Sequence, residues 1–111
     1  MSTSIIRAAI AAAGLGLATV GLAAADAARG EAVYAEQKCS VCHSIAGKGN
    51  PRGSLDRVGS KLSADDIRQW IVSPQEMAAR ARAERKPPMR GYPTLPAGDL
   101  EALVAYLQSL K

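Results

Sequence analysis

Two cysteines and the single histidine of the chain stand together as Cys39, Cys42 and His43, in the order Cys-x-x-Cys-His. This spacing is typical of covalent attachment of a c-type haem. Two thiols separated by two residues can reach the same edge of a porphyrin and add to its two vinyl groups. The next residue then lies over the face of the ring, where the imidazole of His43 can bind the iron. The pattern predicts a haem attached through Cys39 and Cys42, with His43 as its proximal ligand.

The cysteine pair has three other uses to weigh: a redox-active dithiol, a structural disulfide and part of a zinc site. A closed zinc site needs about four ligands, whereas the chain has two cysteines and one histidine, so carboxylates would have to complete it. A thioredoxin-like dithiol expects a strand-helix-strand context, and the sequence has no such pattern. The residues favour haem, and the alternatives stay open at this point.

A second iron ligand is expected on the opposite face of the ring, and methionine is the candidate residue type. With one histidine in the chain, a single chain cannot supply two imidazoles. Met89 lies in residues 86–96, a proline-rich segment that cannot form a regular helix and has little conformational freedom to lose. Met77 is the alternative, although it falls within a predicted helix, where packing in the core is the simpler role. A thioether opposite an imidazole raises the reduction potential of haem iron.

Residues 1–25 have the pattern of a secretory signal peptide. Arg7 supplies a charged start, residues 8–24 are uncharged and mainly apolar, and alanines at 23–25 suit a signal peptidase. We predict cleavage before Asp26, so that residues 26–111 form the exported domain, located in the periplasm. The alternative is an uncleaved N-terminal membrane anchor, although the apolar stretch is barely long enough to span a bilayer.

The predicted domain is small and poor in aromatic side chains. The whole chain has no Phe, one Trp and three Tyr, and a domain of this size buries little apolar surface by itself. A haem would supply the missing interior, so we expect the haem-free chain to be largely unstructured. The net charge of +4 is modest and does not indicate a nucleic-acid-binding protein.

The spacing of apolar residues, together with Gly and Pro residues that interrupt regular structure, predicts an all-α fold without a sheet. Helices are predicted over residues 26–38, 63–73, 74–84 and 97–110, and residues 44–62 are predicted to form a loop around the haem. Asp26 and Ser63 are the expected N-caps of the first two helices, and Pro74 is expected at the first position of the third. Trp70 packs either in the core or against the haem edge, where its N–H would reach a propionate.

Residues 29–110 resemble the class I mono-haem c-type cytochromes. The resemblance rests on Gly30 with an aromatic four residues later, the haem motif, a proline after it, Met89 followed by Tyr-Pro-Thr-Leu, and a final helix with Leu and Tyr. It implies a cytochrome c fold of about four short helices around one covalently attached haem c. It also implies a crossing of the first and last helices at Gly30, Tyr34, Leu103 and Tyr106. The carbonyl of Pro51 is implied to accept a hydrogen bond from the second ring nitrogen of His43.

The predicted function is electron transfer by a periplasmic carrier whose iron, ligated by His43 and Met89, exchanges single electrons with partner proteins. Five basic residues near Met89 form either a solvated surface or a docking site for an acidic patch on a partner: Arg80, Arg82, Arg85, Lys86 and Arg90. No small-molecule substrate, nucleic acid or enzymatic activity is predicted, and a monomer is expected. Two alternatives are a haem c subunit of a periplasmic dehydrogenase or terminal oxidase complex, and a haem protein with an open sixth position.

Overall fold

The computed structural model describes residues 15–111, with side chains described from Asp26 onward. Within these residues five α-helices follow one another: α1 (Leu15–Glu36), α2 (Val58–Lys61), α3 (Ala64–Val72), α4 (Pro74–Ala81) and α5 (Ala97–Gln108). Two 3₁₀ turns, Cys39–Val41 and Pro51–Gly53, lie between α1 and α2. The predicted all-α class is confirmed.

A small hairpin is the one departure, within residues 15–111, from the prediction of no sheet. β1 (Ser44–Ile45) pairs antiparallel with β2 (Lys48–Gly49). The connecting residues Ala46 and Gly47 have positive φ angles of 51° and 78°, as a type I′ turn requires. Strands of two residues show no alternation of polar and apolar positions, so the sequence carried no signal for this hairpin.

Helix α1 begins at Leu15, well before the helix start that the sequence predicted at Asp26. Asp26 therefore lies inside α1 and is not its N-cap. Residues 15–25 contain no proline and are rich in alanine and leucine, which have the highest helix propensities. The predicted signal peptide, residues 1–25, lies outside the described residues up to position 14, and its cleavage stays a prediction. Across residues 15–111, no helix combines the length and the apolar character needed to cross a bilayer.

The core is built on the crossing of α1 and α5. Gly30 is buried there, and a Cβ atom at this position would lie 2.5 Å from Tyr106 Cβ and closer still to the carbonyl oxygen of Ala102. The two helices can approach this closely only at a residue without a side chain. Tyr34 and Tyr106 meet edge to face, with ring centroids 6.0 Å apart, and Leu103 is buried beside them. The structure thus has the crossing that the resemblance implies.

Helix α3 packs against α5 and closes one side of the core. Ile67 and Ile71, four residues apart on one face, are both buried. Ser63 is the N-cap, as predicted, since its Oγ accepts a hydrogen bond of 3.1 Å from the backbone N–H three residues later. On the solvent side Arg68 donates two parallel hydrogen bonds, both of 2.8 Å, to Glu101 of α5. This planar pair sets the orientation of the two helices more than it stabilises them, because both groups remain in contact with water.

The segment predicted to be a loop, residues 44–62, contains the short helix α2, which four residues are too few to reveal by periodicity. Gly59 lies directly against the end of α5, where a Cβ atom would collide with the backbone of Gln108. The Gly59 carbonyl accepts hydrogen bonds from the side chains of Gln108 and Lys111, at 3.1 and 3.0 Å. The Gly59 N–H donates to the Leu110 carbonyl at 2.8 Å. Helix α2 is thereby fixed to the C-terminal end of α5.

Helix α4 begins at Pro74, the predicted first position, but ends at Ala81 rather than near Glu84. Arg82 adopts a left-handed conformation with a φ of 49°, and the backbone N–H groups of Arg82 and Ala83 close on carbonyls within α4. Such a left-handed residue is the common way in which helices terminate. The chain therefore leaves the helix early and continues as the proline-rich residues 86–96, called the strap below.

Replacing Gly30 by Ala should destabilise the protein, because the new methyl group has no room between α1 and α5. We expect the free energy of unfolding to fall by about 1–3 kcal/mol, the usual cost of overpacking a core. Guanidinium titration of the purified full-length protein, followed by far-ultraviolet circular dichroism, measures the change.

Gly98→Ala is the matched control, because a Cβ atom at Gly98, in the first turn of α5, would meet nothing within 4 Å. Alanine is the better helix former, so this variant should be neutral or more stable by up to about 1 kcal/mol. Equal losses in the two variants would show that the close crossing at Gly30 is not required.

Candidate functional site

The two cysteines and the histidine lie on one tight turn that directly follows α1. Lys38 takes a left-handed conformation with a φ of 55°, which ends the helix and starts the 3₁₀ turn Cys39–Val41. The Cys39 carbonyl then accepts hydrogen bonds from the N–H groups of Cys42 and His43, at 3.1 and 2.9 Å. Cys39 is half-buried, Cys42 is exposed, and both are free thiols. The local backbone thus presents both thiols and the imidazole together.

The imidazole of His43 is oriented by a backbone carbonyl. Its Nδ1 lies 2.9 Å from the carbonyl oxygen of Gly53, so Nδ1–H can donate there and leave Nε2 free to bind a metal. The carbonyl predicted for this role was that of Pro51, and this prediction is wrong. Pro51 is exposed and opens the 3₁₀ turn that Asn50 caps by accepting from the N–H of Arg52 at 3.0 Å. The turn brings the carbonyl two residues further on, at Gly53, to the ring.

The protonation of the site groups follows from their burial. Burial lowers the pKa of His43, the positive charge of Arg85 lowers it further, and the bond to Gly53 acts in the opposite direction. His43 is therefore neutral at pH 7, which is the form that binds a metal ion. Burial also raises the pKa of the Cys39 thiol, so this thiol is protonated at pH 7.

A cavity of about 670 Å³ opens beside this turn. Its volume is within the range of roughly 300–1,000 Å³ that is usual for ligand sites. The predicted site residues Cys39, Cys42, His43, Trp70 and Met89 all line it, whereas Pro51 does not. Apolar side chains from three helices and the connecting loops form most of the wall: Leu55, Val58, Leu62, Ile67, Ile71, Leu103 and Leu107.

The two candidate methionines occupy different places. Met89 is half-buried and lines the cavity, together with Pro87 and Pro88 of the strap. Met77 lies within α4 and does not line the cavity. The strap is attached to α3 by a hydrogen bond of 2.9 Å from the N–H of Tyr92 to the carbonyl of Ile71. Of the two methionines, Met89 therefore lines the same space as Cys39, Cys42 and His43.

Arg85 belongs to the site, and sequence reasoning missed this. The sequence placed it in a surface cluster with four other basic residues, but its side chain is half-buried, lines the cavity and donates to the carbonyl of Cys42. No sequence signal separates Arg85 from its basic neighbours, because the contact joins residues that are 43 positions apart.

The chemistry of the cavity wall fits a haem. Tyr34 lines the cavity, and its hydroxyl is the one buried side-chain oxygen or nitrogen atom, among the residues whose side chains are described, that has no hydrogen-bond partner. Burial raises the pKa of Tyr34 to about 12. A buried hydroxyl without a partner is costly and indicates that something else belongs in this space. Two thiols on one turn, an imidazole with a free nitrogen and a thioether are a donor set that suits a covalently attached haem.

Comparison with known proteins agrees with this chemistry. The family model described as "Cytochrome c" matches residues 27–111. A relative from Alkalihalophilus pseudofirmus, "Cytochrome c oxidase subunit 2", is 31% identical over 92 residues, which cover 75% of this chain. The chain spans 25% of the length of that relative. No solved structure matches the chain with significance.

Gly53→Ala should damage the site, because a Cβ atom there would collide with the Cys42 carbonyl and the Arg85 guanidinium. We expect the free energy of unfolding of the haem-loaded protein to fall by about 1–3 kcal/mol, measured by denaturation followed at the haem absorbance.

Pro51→Ala is the control and should cost at most about 1 kcal/mol, since it removes only the stiffness of one backbone position. A loss for Pro51→Ala as large as that for Gly53→Ala would show that the close packing at Gly53 is not what the site requires.

Proposed function

We propose that this chain, which belongs to the cytochrome c family, is a carrier of single electrons that holds one haem c between His43 and Met89. One observation carries the proposal: two thiols, a free imidazole nitrogen and a thioether line a single apolar cavity. When bound, the haem supplies a ferric–ferrous couple at its iron.

Each residue of the site is proposed to have a separate role in holding the haem. The thiols of Cys39 and Cys42 would hold the haem, each S–H adding across one vinyl C=C bond to give a thioether that prevents its loss. His43 would bind the iron through Nε2, and the carbonyl of Gly53, 2.9 Å from Nδ1, would fix the ring and raise its basicity as a ligand. Met89 would supply a neutral thioether to the iron, which favours the ferrous state relative to an anionic ligand. With both ligands supplied by the chain, no metal site would be left for a substrate, so the proposal is a carrier and not an enzyme.

The carrier is proposed to act in the periplasm. Residues 1–25 have the sequence of a signal peptide, with cleavage before Asp26 and the haem domain over residues 26–111. An uncleaved leader acting as a membrane anchor is the alternative. N-terminal sequencing of the exported protein distinguishes the two, since a cleaved chain starts at Asp26 and an anchored one retains the leader.

The proposed partners are redox proteins with acidic surfaces, met by a protein that is itself monomeric. Four members of the basic cluster have exposed side chains: Arg80, Arg82, Lys86 and Arg90. Lys86 is exposed and also lines the cavity, so its positive charge would lie close to a bound haem at the surface where electrons would pass. Such charge steers an acidic partner during encounter and matters less as salt increases.

A second candidate function is that of a haem c subunit in a terminal oxidase or dehydrogenase complex. It is favoured by the 31% identity to a protein named "Cytochrome c oxidase subunit 2", of which this chain spans 25%. Tight copurification with larger chains from native membranes would support a subunit, whereas a haem protein of the size of one chain supports a free carrier.

The carrier proposal is tested on protein from a host that can attach haem. The intact mass should exceed that of the polypeptide by one haem, and a pyridine haemochrome spectrum should show the thioether-linked type. Voltammetry should give one reversible one-electron wave, and the reduced form should not bind carbon monoxide at neutral pH. A mass without haem would refute the proposal, and ready binding of carbon monoxide would favour a protein with an open sixth position.

Met89→Leu should remove the sulfur ligand while nearly conserving side-chain volume. We expect loss of the weak sulfur-to-iron charge-transfer band at the red end of the ferric spectrum, and a lower reduction potential. Met77→Leu, in α4, is the matched control and should leave both unchanged. Loss of the band in Met77→Leu, with survival in Met89→Leu, would exchange the two assignments.

Lys86→Gln should slow the oxidation of the reduced protein by hexacyanoferrate(III), a small anionic probe of the charge near the haem edge. We expect a rate reduced roughly twofold at low salt, with the difference lost at high salt. Arg29→Gln makes the same change of net charge on α1, where Arg29 pairs with Glu36 and Asp99, and should have a smaller effect. Equal effects would show that net charge, and not its placement near the cavity, governs the rate.

A further inference from the structure

Arg85 differs from the other basic residues of its segment in where its side chain goes. Arg80, Arg82, Lys86 and Arg90 are exposed, whereas Arg85 is half-buried. Arg85 directly precedes the strap, and its guanidinium reaches the turn that carries the cysteines, where Nη2 donates to the carbonyl of Cys42. The contact spans 43 positions and joins the chain next to the Met89 strap to the turn that ends at His43.

The guanidinium occupies a space that exists because residue 53 is glycine. A Cβ atom at Gly53 would lie 3.0 Å from Nη2 of Arg85, and closer still to Nη1 and to the Cys42 carbonyl. The carbonyl of the same glycine is the one that lies 2.9 Å from Nδ1 of His43. The charge of Arg85 therefore stands beside the hydrogen bond that orients the proximal imidazole.

We propose that Arg85 is a positioning residue with two effects on the haem: it ties the strap that carries Met89 to the turn that carries His43, and it places one fixed positive charge beside the proximal ligand, which raises the reduction potential. This inference rests on the proposed function, because it concerns the potential of a haem held by His43 and Met89.

The direction of the electrostatic effect follows from charge alone. The ferric site carries one more positive charge than the ferrous site, so a neighbouring cation disfavours the ferric state. Exposed charges such as those of Glu84 and Lys86 are screened by water and salt, whereas the charge of a half-buried guanidinium is screened less. Arginine suits this place because it stays charged at every accessible pH and offers several donors from one planar group.

The test compares Arg85→Gln with Arg80→Gln in the haem-loaded, full-length chain. Both variants remove one positive charge, but Arg80 is an exposed residue in the last turn of α4. For Arg85→Gln we expect the ferric–ferrous equilibrium to shift about three- to tenfold toward ferric, which is about 30–59 mV at 59 mV per tenfold for one electron. The control should shift by less than half as much. Equal shifts in the two variants, or none in Arg85→Gln, would overturn the electrostatic effect.

Arg85→Lys tests the tie between the strap and the turn while keeping the charge. Lysine lacks the planar fork, so the potential should stay close to that of the parent protein. The sulfur-to-iron band, however, should disappear at a lower guanidinium concentration than in the parent. An unchanged midpoint for this band would overturn the tie, and a potential as low as that of Arg85→Gln would overturn the charge effect.

Measurements on the unsubstituted protein distinguish a failure of the proposed function from a failure of the role of Arg85. A parent without attached haem, or without a reversible wave, defeats the proposed function itself. A parent with a normal wave and an Arg85→Gln variant that matches Arg80→Gln defeats only the role of Arg85. If Arg85→Gln does not accumulate with haem, the two readouts of Arg85→Lys decide the inference.

Discussion

The contact between α1 and α5 at Gly30 is the constraint on which the rest of the structure depends. Because the glycine has no side chain, the backbone of α5 at Ala102 comes directly against α1. This close approach places Tyr34 and Leu103 in the wall of the cavity, and the turn that carries the cysteines follows α1 directly. The crossing thus holds the end of α1, from which the Cys-x-x-Cys-His turn continues, although none of the three motif residues lies at the crossing. A small domain with few aromatic residues can hold a large cofactor in this way, because the cofactor itself completes the core.

Much of this architecture could be predicted from the sequence, since its signals are local. The cap at Ser63 and the start of α4 at Pro74 depend on neighbouring residues, and the structure has both where they were expected. The Cys-x-x-Cys-His motif is likewise a pattern of neighbouring residues. Met89 was preferred to Met77 because prolines surround it, and the cavity is lined by Met89 and not by Met77. The buried apolar residues of α5, Leu103, Val104 and Leu107, recur at the helical spacing on which its prediction rested.

The features that the sequence did not reveal depend on contacts between distant residues or on very short elements. The carbonyl next to His43 belongs to Gly53 because of the way the 3₁₀ turn after Asn50 folds. The resemblance had assigned this role to the nearby Pro51. Arg85 is of a residue type that is usually exposed, but its side chain is half-buried and lines the cavity. The hairpin strands and α2 are too short to show a periodic spacing of apolar residues. The start of α1 was misplaced because a plausible N-cap, Asp26, lies within a run of strong helix formers.

The hydrogen bonds of the cysteine turn differ in range from the contacts that form the cavity. The bonds from Cys42 and His43 close on Cys39, so they join residues that are close in the chain. The walls of the cavity, by contrast, come from α3, the strap and α5, which lie later in the chain. A substitution that loosens these distant segments should therefore widen the cavity while the spacing of the two thiols and the imidazole is retained.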